Sequence, residues 1–331
     1  ALSTLGALTA LRLLRSTLQF LTFHLLPGSH TISRYQRPGN TAWALVTGAS
    51  AGIGLGIARE LVREGFGVVL LGHLREELEQ AADELRSLRG DDCVDKDKRV
   101  RIVVLDTRFA NPDGLQKLVD SLAELDLSIL DNNVGGNPVQ APAFRPHGTY
   151  SCDDVDSVIN QNARFMARLT ALLIPLLARK KPGAEPTKTS NRSLIISMSS
   201  GAYHGSPWLV MYGATKGFNR SFGIGLGLEL AQDPSTAHID SLVVIPGEVL
   251  SQGNCRGVPS HAPRWDEYGR NVVRKAGLAA ARGWREMYPH WWHGIEYALM
   301  DFAPQKAVEK GLVDQIRAKK DAWDEFYAKS R

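Results

Sequence analysis

Tyr212 and Lys216 stand four residues apart in the run Met211-Tyr212-Gly213-Ala214-Thr215-Lys216. On a helix that spacing puts both side chains on one face, one turn apart. A phenol, with an ordinary pKa of about 10, moves protons poorly near neutrality. A nearby ammonium favours the phenolate and draws that value down, so the pair can serve as a tuned general acid/base. Taken alone, the pattern also fits an amphipathic surface pair.

Such a pair needs a scaffold, and the chain supplies alternating apolar runs and amphipathic stretches. Strands are predicted at 42–47, 67–71, 101–105, 127–131, 193–197 and 239–245, and helices at 53–64, 74–88, 112–124, 153–179, 208–231 and 264–281. The alternation predicts an α/β fold, a doubly wound parallel sheet with helices on both faces and the site at the carboxyl ends of the strands. No tandem repeat interrupts it. After the first strand comes Gly48-Ala49-Ser50-Ala51-Gly52-Ile53-Gly54. Glycine at 48 permits a tight turn, and glycines at 52 and 54 let backbone amides and a helix N-terminus approach a pyrophosphate. A glycine-rich strand-to-helix turn can also be purely structural.

The second strand ends at His73-Leu74-Arg75, with no carboxylate before Glu76. Sites for NAD usually carry an acid here to bind the ribose 2′-hydroxyl. Cations at this place suit a 2′-phosphate, which favours NADP (NADPH) over NAD. His73 and Arg75 are otherwise ordinary solvated residues at a helix start.

Together these segments resemble the short-chain dehydrogenase/reductase family. The loop 47–54 is similar to its TGxxxGxG motif, Asn132-Asn133-Val134-Gly135 to its NNAG motif, Tyr212 and Lys216 to its YxxxK pair, and Pro246-Gly247 to its PG motif beside the nicotinamide. The matches run in order from 42 to 251, with Ser251 where the family often has threonine. The resemblance implies a Rossmann-type domain whose catalytic residues are Asn162, Ser200, Tyr212 and Lys216. It implies cofactor contacts from Gly48, Ser50, Gly52, Ile53, Gly54, His73, Arg75, Asp106, Asn133, Gly135, Tyr212, Lys216, Pro246 and Gly247, with Asp106 at the adenine amine. Ser200 follows from the SSG pattern, whereas the family's serine-to-tyrosine spacing selects Ser199. In the implied chemistry Ser200 hydrogen-bonds a carbonyl oxygen and Tyr212 gives it a proton. Lys216 lowers the phenol and holds the nicotinamide ribose, and Asn162 positions a water.

The 331 residues carry a formal net charge of +4, spread along the chain; this does not argue for nucleic acid. Cys93, Cys152 and Cys255 lack CxxC spacing and read as reduced thiols in a cytosol-facing domain. No histidines show metal-ligand spacing, and the cluster His290-Trp291-Trp292-His293 fits packing or an interface better than a metal or catalytic role. Polar stretches at 91–99 and 180–191 read as surface loops.

Residues 1–38 read as an apolar N-terminal helix and linker, and 39–331 as one catalytic domain with helical additions after 246. The leucines of 1–26 are interrupted by Arg12 and Arg15. The run after Arg15 is short for a membrane span, which fits an interfacial helix or the trimmed end of a longer anchor. The alternative is a helix packed on the domain. The chain begins without methionine, so residues are expected upstream. Trp284, Met287, Tyr288, Trp291, Trp292, Tyr297, Met300 and Phe302 form an aromatic-rich segment, suited to an apolar substrate pocket or to ordinary core. The arrangement is similar to the membrane-associated branch of very-long-chain 3-oxoacyl-CoA reductases and 17β-hydroxysteroid dehydrogenases. That implies a ketone reductase for a small-molecule or acyl-CoA substrate at the endoplasmic reticulum membrane, catalytic domain facing the cytosol, with a homodimer as in many relatives. The alternatives are a soluble cytoplasmic ketoreductase of secondary metabolism and a non-catalytic dinucleotide-binding scaffold. Gly247-Glu248 and the two loop insertions depart from the family pattern.

Overall fold

The apolar runs become the strands of one sheet. In the computed structural model, which describes residues 2–25, 31–88, 99–139, 141–179 and 191–329, these are β1 (Ala42–Thr47), β2 (Gly67–Gly72), β3 (Val100–Val104), β4 (Asp126–Asn132), β5 (Ser193–Met198), β6 (Ile239–Val244) and a short β7 (Glu286–Met287). Their order is β3-β2-β1-β4-β5-β6-β7, and every pairing is parallel. Parallel strands covered on both faces need continuous apolar sequence; β1, β2 and β5 are accordingly buried along their whole length. Cys93, residues 91–98 of the first polar stretch and 180–190 of the second lie outside the described residues.

The helices are α1 (Leu2–His24), α2 (Gly52–Arg63), α3 (Arg75–Ser87), α4 (Pro112–Leu122), α5 (Cys152–Ile159), α6 (Phe165–Leu177), α7 (Val210–Leu230), α8 (Trp265–Ala281), α9 (Trp291–Phe302) and α10 (Gln305–Lys329). One core joins Val46, Leu70, Ile129 and Ile196 of the sheet to Ile57, Leu61, Tyr268 and Val272. The other joins Leu45, Leu71, Leu130 and Ile195 to Leu118, Leu169 and Leu173. The strand order reverses between β1 and β4, and a cleft opens where their carboxyl ends part, as expected for such a sheet.

Three sequence expectations change. The single helix read at 153–179 is α5 and α6 joined by a π turn at Asn160–Arg164, which hydropathy cannot register because the apolar face continues through it. Residues 31–37, read as linker, are packed into the body: Ile32 and Tyr35 are fully buried, Tyr35 donates to Asp240 at 2.8 Å, and Arg37 donates to Asp126 at 3.1 Å. The strand β7 was missed because two residues carry no periodicity.

The helix α1 is anchored at its C-terminal end. Phe23 is buried and packs on Trp284 at 4.8 Å between centroids, and Arg282 donates to the Gln19 carbonyl and Thr22. Toward its N-terminus Leu8, Leu11, Leu14 and Leu18 are exposed. Among the described residues no helix is long and apolar enough to cross a membrane.

Candidate active site

The floor of the site is the junction of β1 with β4. The Thr47 hydroxyl accepts from the backbone N–H groups of Asn133 and Val134, each at 3.0 Å, and donates to the Asp131 carbonyl at 3.0 Å. The Asn133 amide donates to the carbonyls of Thr47 and Gly48 at 3.0 and 3.2 Å. The glycine turn is thus fixed to the NNVG segment. Gly48 has φ of 65°, in the left-handed region, where a side chain is strained. At Gly54 an added Cβ would collide with the Gly48 carbonyl oxygen. Gly54 does not itself line the cleft; it lets α2 close onto the turn.

The cleft has a volume of about 870 Å³. Gly48, Ser50, Gly52, Ile53, His73, Asp106, Asn133, Gly135, Ser200, Tyr212, Lys216, Pro246 and Gly247 all line it. The turn ends at the N-terminus of α2, which has no side-chain cap and no acidic residue in its first turn. Uncapped amides and the helix dipole there suit a pyrophosphate. This cradle fits a dinucleotide.

At the adenosine end the structure shows how two of the expected contacts stand. Arg75 is absent from the cleft wall; it is exposed and pairs along its own helix with Glu79 at 3.4 Å. Glu77, two residues on, faces the cleft and accepts from the Ser50 hydroxyl at 3.0 Å and the Gln252 amide at 3.3 Å. Asp106 is already engaged: Arg108 donates to its oxygens at 2.6 to 3.2 Å, and this pairing holds the carboxyl below its ordinary value. Sequence reasoning missed Glu77 and Arg108. The helical position of Glu77 was the available signal, because residues 75 and 76 begin α3 on its outer side.

At the catalytic end, α7 carries Tyr212 and Lys216 on one face as predicted. The Lys216 Nζ donates to the Met198 carbonyl at 3.0 Å and lies 5.6 Å from the Tyr212 ring centroid. A Cβ at Gly135 would come within 2.8 Å of that Nζ, so glycine here leaves the ammonium in place against the cleft wall. Burial brings Lys216 down from 10.5 to about 8. In the free protein Tyr212 lies above its ordinary value. Burial pushes Tyr212 up, the Ser200 hydroxyl pulls it back through a hydrogen bond, and the charge of Glu248 raises it again.

Of the two candidate serines, Ser200 stands beside the phenol. Ser199 is buried and donates to the Lys216 carbonyl at 2.8 Å. Asn162 sits inside the π turn, fully buried. Its oxygen accepts from the Gly136 N–H at 2.9 Å, and its amide donates to the Gly136 carbonyl at 2.8 Å and the Thr215 hydroxyl at 3.1 Å. Both amide hydrogens are therefore committed to protein partners.

The far wall is built by the C-terminal helices. His293 accepts from the Gly247 N–H at 3.2 Å through Nδ1, and its Nε2 lies 3.1 Å from the Glu248 carbonyl. With Nδ1 accepting, Nε2 is the nitrogen that donates. The Glu248 carboxylate pairs with Lys319 of α10 at 2.7 and 2.9 Å and accepts from Asn254 at 2.9 Å. Tyr297, Met300, Leu312, Ile316, Trp323 and Tyr327 complete the lining. His293, Glu248 and Lys319 were not singled out as site residues, since their partners lie 45 to 71 positions apart.

The chain matches the family model described as short chain dehydrogenase over residues 42–256. It is 26% identical over 297 residues to a very-long-chain 3-oxoacyl-CoA reductase of Pyricularia oryzae, covering 89% of this chain and 82% of that one. It is 29% identical over 311 residues to the reductase of the same name from Coprinopsis cinerea, covering 91% and 82%. Among solved structures, a short-chain dehydrogenase from Sphingobium yanoikuyae in complex with NADPH superposes with a TM-score of 0.58 at 24% identity, covering 80% of this chain and 97% of that one. The bulky-bulky ketone specific alcohol dehydrogenase from Comamonas testosteroni gives 0.56 at 23% identity, covering 80% and 95%. A parallel sheet with this strand order, a glycine turn closed onto NNVG and a match over most of the sheet have one common reading: the chain belongs to the short-chain dehydrogenase/reductase family, as an NAD(P)-dependent oxidoreductase resembling the very-long-chain 3-oxoacyl-CoA reductases.

Proposed function

We propose that this enzyme reduces a ketone on a lipid-like substrate, a 3-oxoacyl-CoA or a ketosteroid, to a secondary alcohol. The observation that carries the reading is the placement of Ser200 and Tyr212 side by side in a cleft that continues into a chamber where Tyr297, Met300, Ile316 and Trp323 stand beside the Glu248–Lys319 pair. When bound, the nicotinamide supplies the hydride. Ser200 and Tyr212 present hydroxyl donors to the carbonyl oxygen, where negative charge develops. The proton that leaves the Tyr212 oxygen completes the alcohol. A phenol held high by burial keeps that proton until charge appears beside it. Lys216 places an ammonium between Met198 and Gly135, where it can hold the nicotinamide ribose and stabilise the phenolate left behind.

Asn162 acts through its neighbours. It ties the Gly136 backbone to Thr215, and Thr215 donates to the Tyr212 carbonyl at 2.8 Å. It is a positioning residue, holding the cleft floor against the helix of the proton donor.

The preferred cofactor is NADPH, with His73 and the Asp106-paired Arg108 on the adenosine wall as the donors nearest a 2′-phosphate. Glu77 works against that preference and narrows its margin. Exposed leucines on α1 support residence at the endoplasmic reticulum membrane, and exposed Phe218 and Leu228 on α7 support a homodimer.

The test is a panel of 3-oxoacyl-CoA thioesters and ketosteroids followed by NADPH absorbance. Turnover that improves with acyl length or with a polycyclic ketone is expected. Cofactor binding without turnover of any panel member would overturn the assignment.

A further inference from the structure

On the helix α9, Trp291, Trp292, Ile295, Leu299 and Phe302 fall within one arc of about 100° at the α-helical turn. Trp291 is 50% exposed, Trp292 36%, Leu299 62% and Phe302 82%. No polar residue falls within that arc. The opposite side of the same helix is committed to the site. Glu296, Tyr297 and Met300 line the chamber, and His293 holds Gly247 and Glu248. One helix thus separates the chamber from an apolar face that is exposed except where His261 meets Trp292 edge-on.

That face continues onto α1. At Gly294 an added Cβ would lie 3.2 Å from the Phe20 ring and 3.6 Å from His24, so the two helices touch. The exposed leucines of α1 share their helix with Arg12 and Arg15 and with no acidic residue. Two helices in contact, apolar outward and carrying only cations on α1, match a lipid surface bearing anionic headgroups. The adjacent tryptophans suit the headgroup boundary, where an apolar ring with a polar N–H is favoured.

We infer that α9 is a second lipid-seating element beside α1, and that it sets the chamber wall at the bilayer surface, where an acyl chain or sterol can leave the membrane for the site. The inference rests on the lipid-substrate reading for its purpose but not for its test.

The test uses the full chain and phosphatidylcholine vesicles with and without phosphatidylserine, without substrate. Leu299→Glu/Phe302→Glu is expected to reduce flotation with the anionic vesicles on the order of tenfold or more. Its melting temperature should be retained, since both side chains face solvent. In the unaltered chain, brominated acyl chains are expected to quench tryptophan emission, and Trp291→Phe/Trp292→Phe to remove most of that quenching. Flotation unchanged by the glutamates, or quenching unchanged by the phenylalanines, would overturn the inference by leaving α1 as the sole seat. Glutamates that dissociate a dimer in light scattering while leaving flotation intact would overturn it in favour of a second copy of this chain. Failure of the substrate panel alone would leave the vesicle result standing.

Discussion

Asp131 is a carboxyl in the wrong place for stability. It sits mid-sheet on β4, fully buried, paired in register with Val46 and Ile196. Neither of its side-chain oxygens has a hydrogen-bond partner, and burial alone raises its pKa well above 3.8. The folded protein therefore keeps the proton where the unfolded chain loses it. Above 3.8 the native state binds more protons than the unfolded state, so stability falls as pH rises until the folded carboxyl itself titrates. The slope is at most about 1.4 kcal/mol per pH unit. Asp131→Asn cannot titrate. Its advantage over the unaltered protein is expected to widen between pH 5 and pH 7 by as much as about 3 kcal/mol, whereas groups common to both proteins cancel. Asp131→Val removes both orphan oxygens and should add about 1–3 kcal/mol more. Urea unfolding at half-unit pH steps reads both differences, and activity should persist because Asp131 does not line the cleft. A gap that stays flat with pH, or an Asn variant less stable than its parent at pH 7, would refute the reasoning.

Gly54→Ala places a Cβ against the Gly48 carbonyl and is expected to weaken cofactor binding at least tenfold in a fluorescence titration; unchanged affinity would mean the turn adapts. Glu77→Lys replaces the carboxylate facing Ser50 with a cation and should tighten NADPH several-fold while leaving NADH little changed, given that a partly exposed ion pair contributes about 0.2–1 kcal/mol and a like-charge repulsion is removed as well. Lys319→Met leaves Glu248 without its cation, held by Asn254 and Gln315 alone, near Tyr212, so the pH at which turnover is half-maximal should move upward and α10 should become more open to limited proteolysis. An unchanged profile together with unchanged cleavage would remove the pair from the account.

The strands were legible because buried parallel strands must be apolar along their length, and the glycine turn because its backbone conformation excludes side chains. The spacing of Tyr212 and Lys216 put them on one helix face, but it took the glycine turn and the ordered motifs around them to separate the pair from an amphipathic surface pair. What the sequence did not disclose is long-range. The approach of Lys319 to Glu248 depends on how α10 crosses the cleft, and no local period encodes that. Arg75 lies off the cleft wall for a similar reason. Its place at the strand end suited a phosphate, but one step along the helix turned it outward and brought Glu77 in. The spacing to Lys216 could not show how deeply Tyr212 is buried, and burial is what pushes the phenol up in the free protein.

The most direct measurement is Tyr212→Phe assayed two ways, by NADPH titration and by single-turnover reduction of an accepted 3-oxoacyl or ketosteroid substrate. Loss of about 10²–10⁴ in the reduction rate with nearly unchanged cofactor affinity is expected if the phenol supplies the proton. Reduction persisting at close to the original rate would show that the proton comes from another group and would contradict the account at its centre.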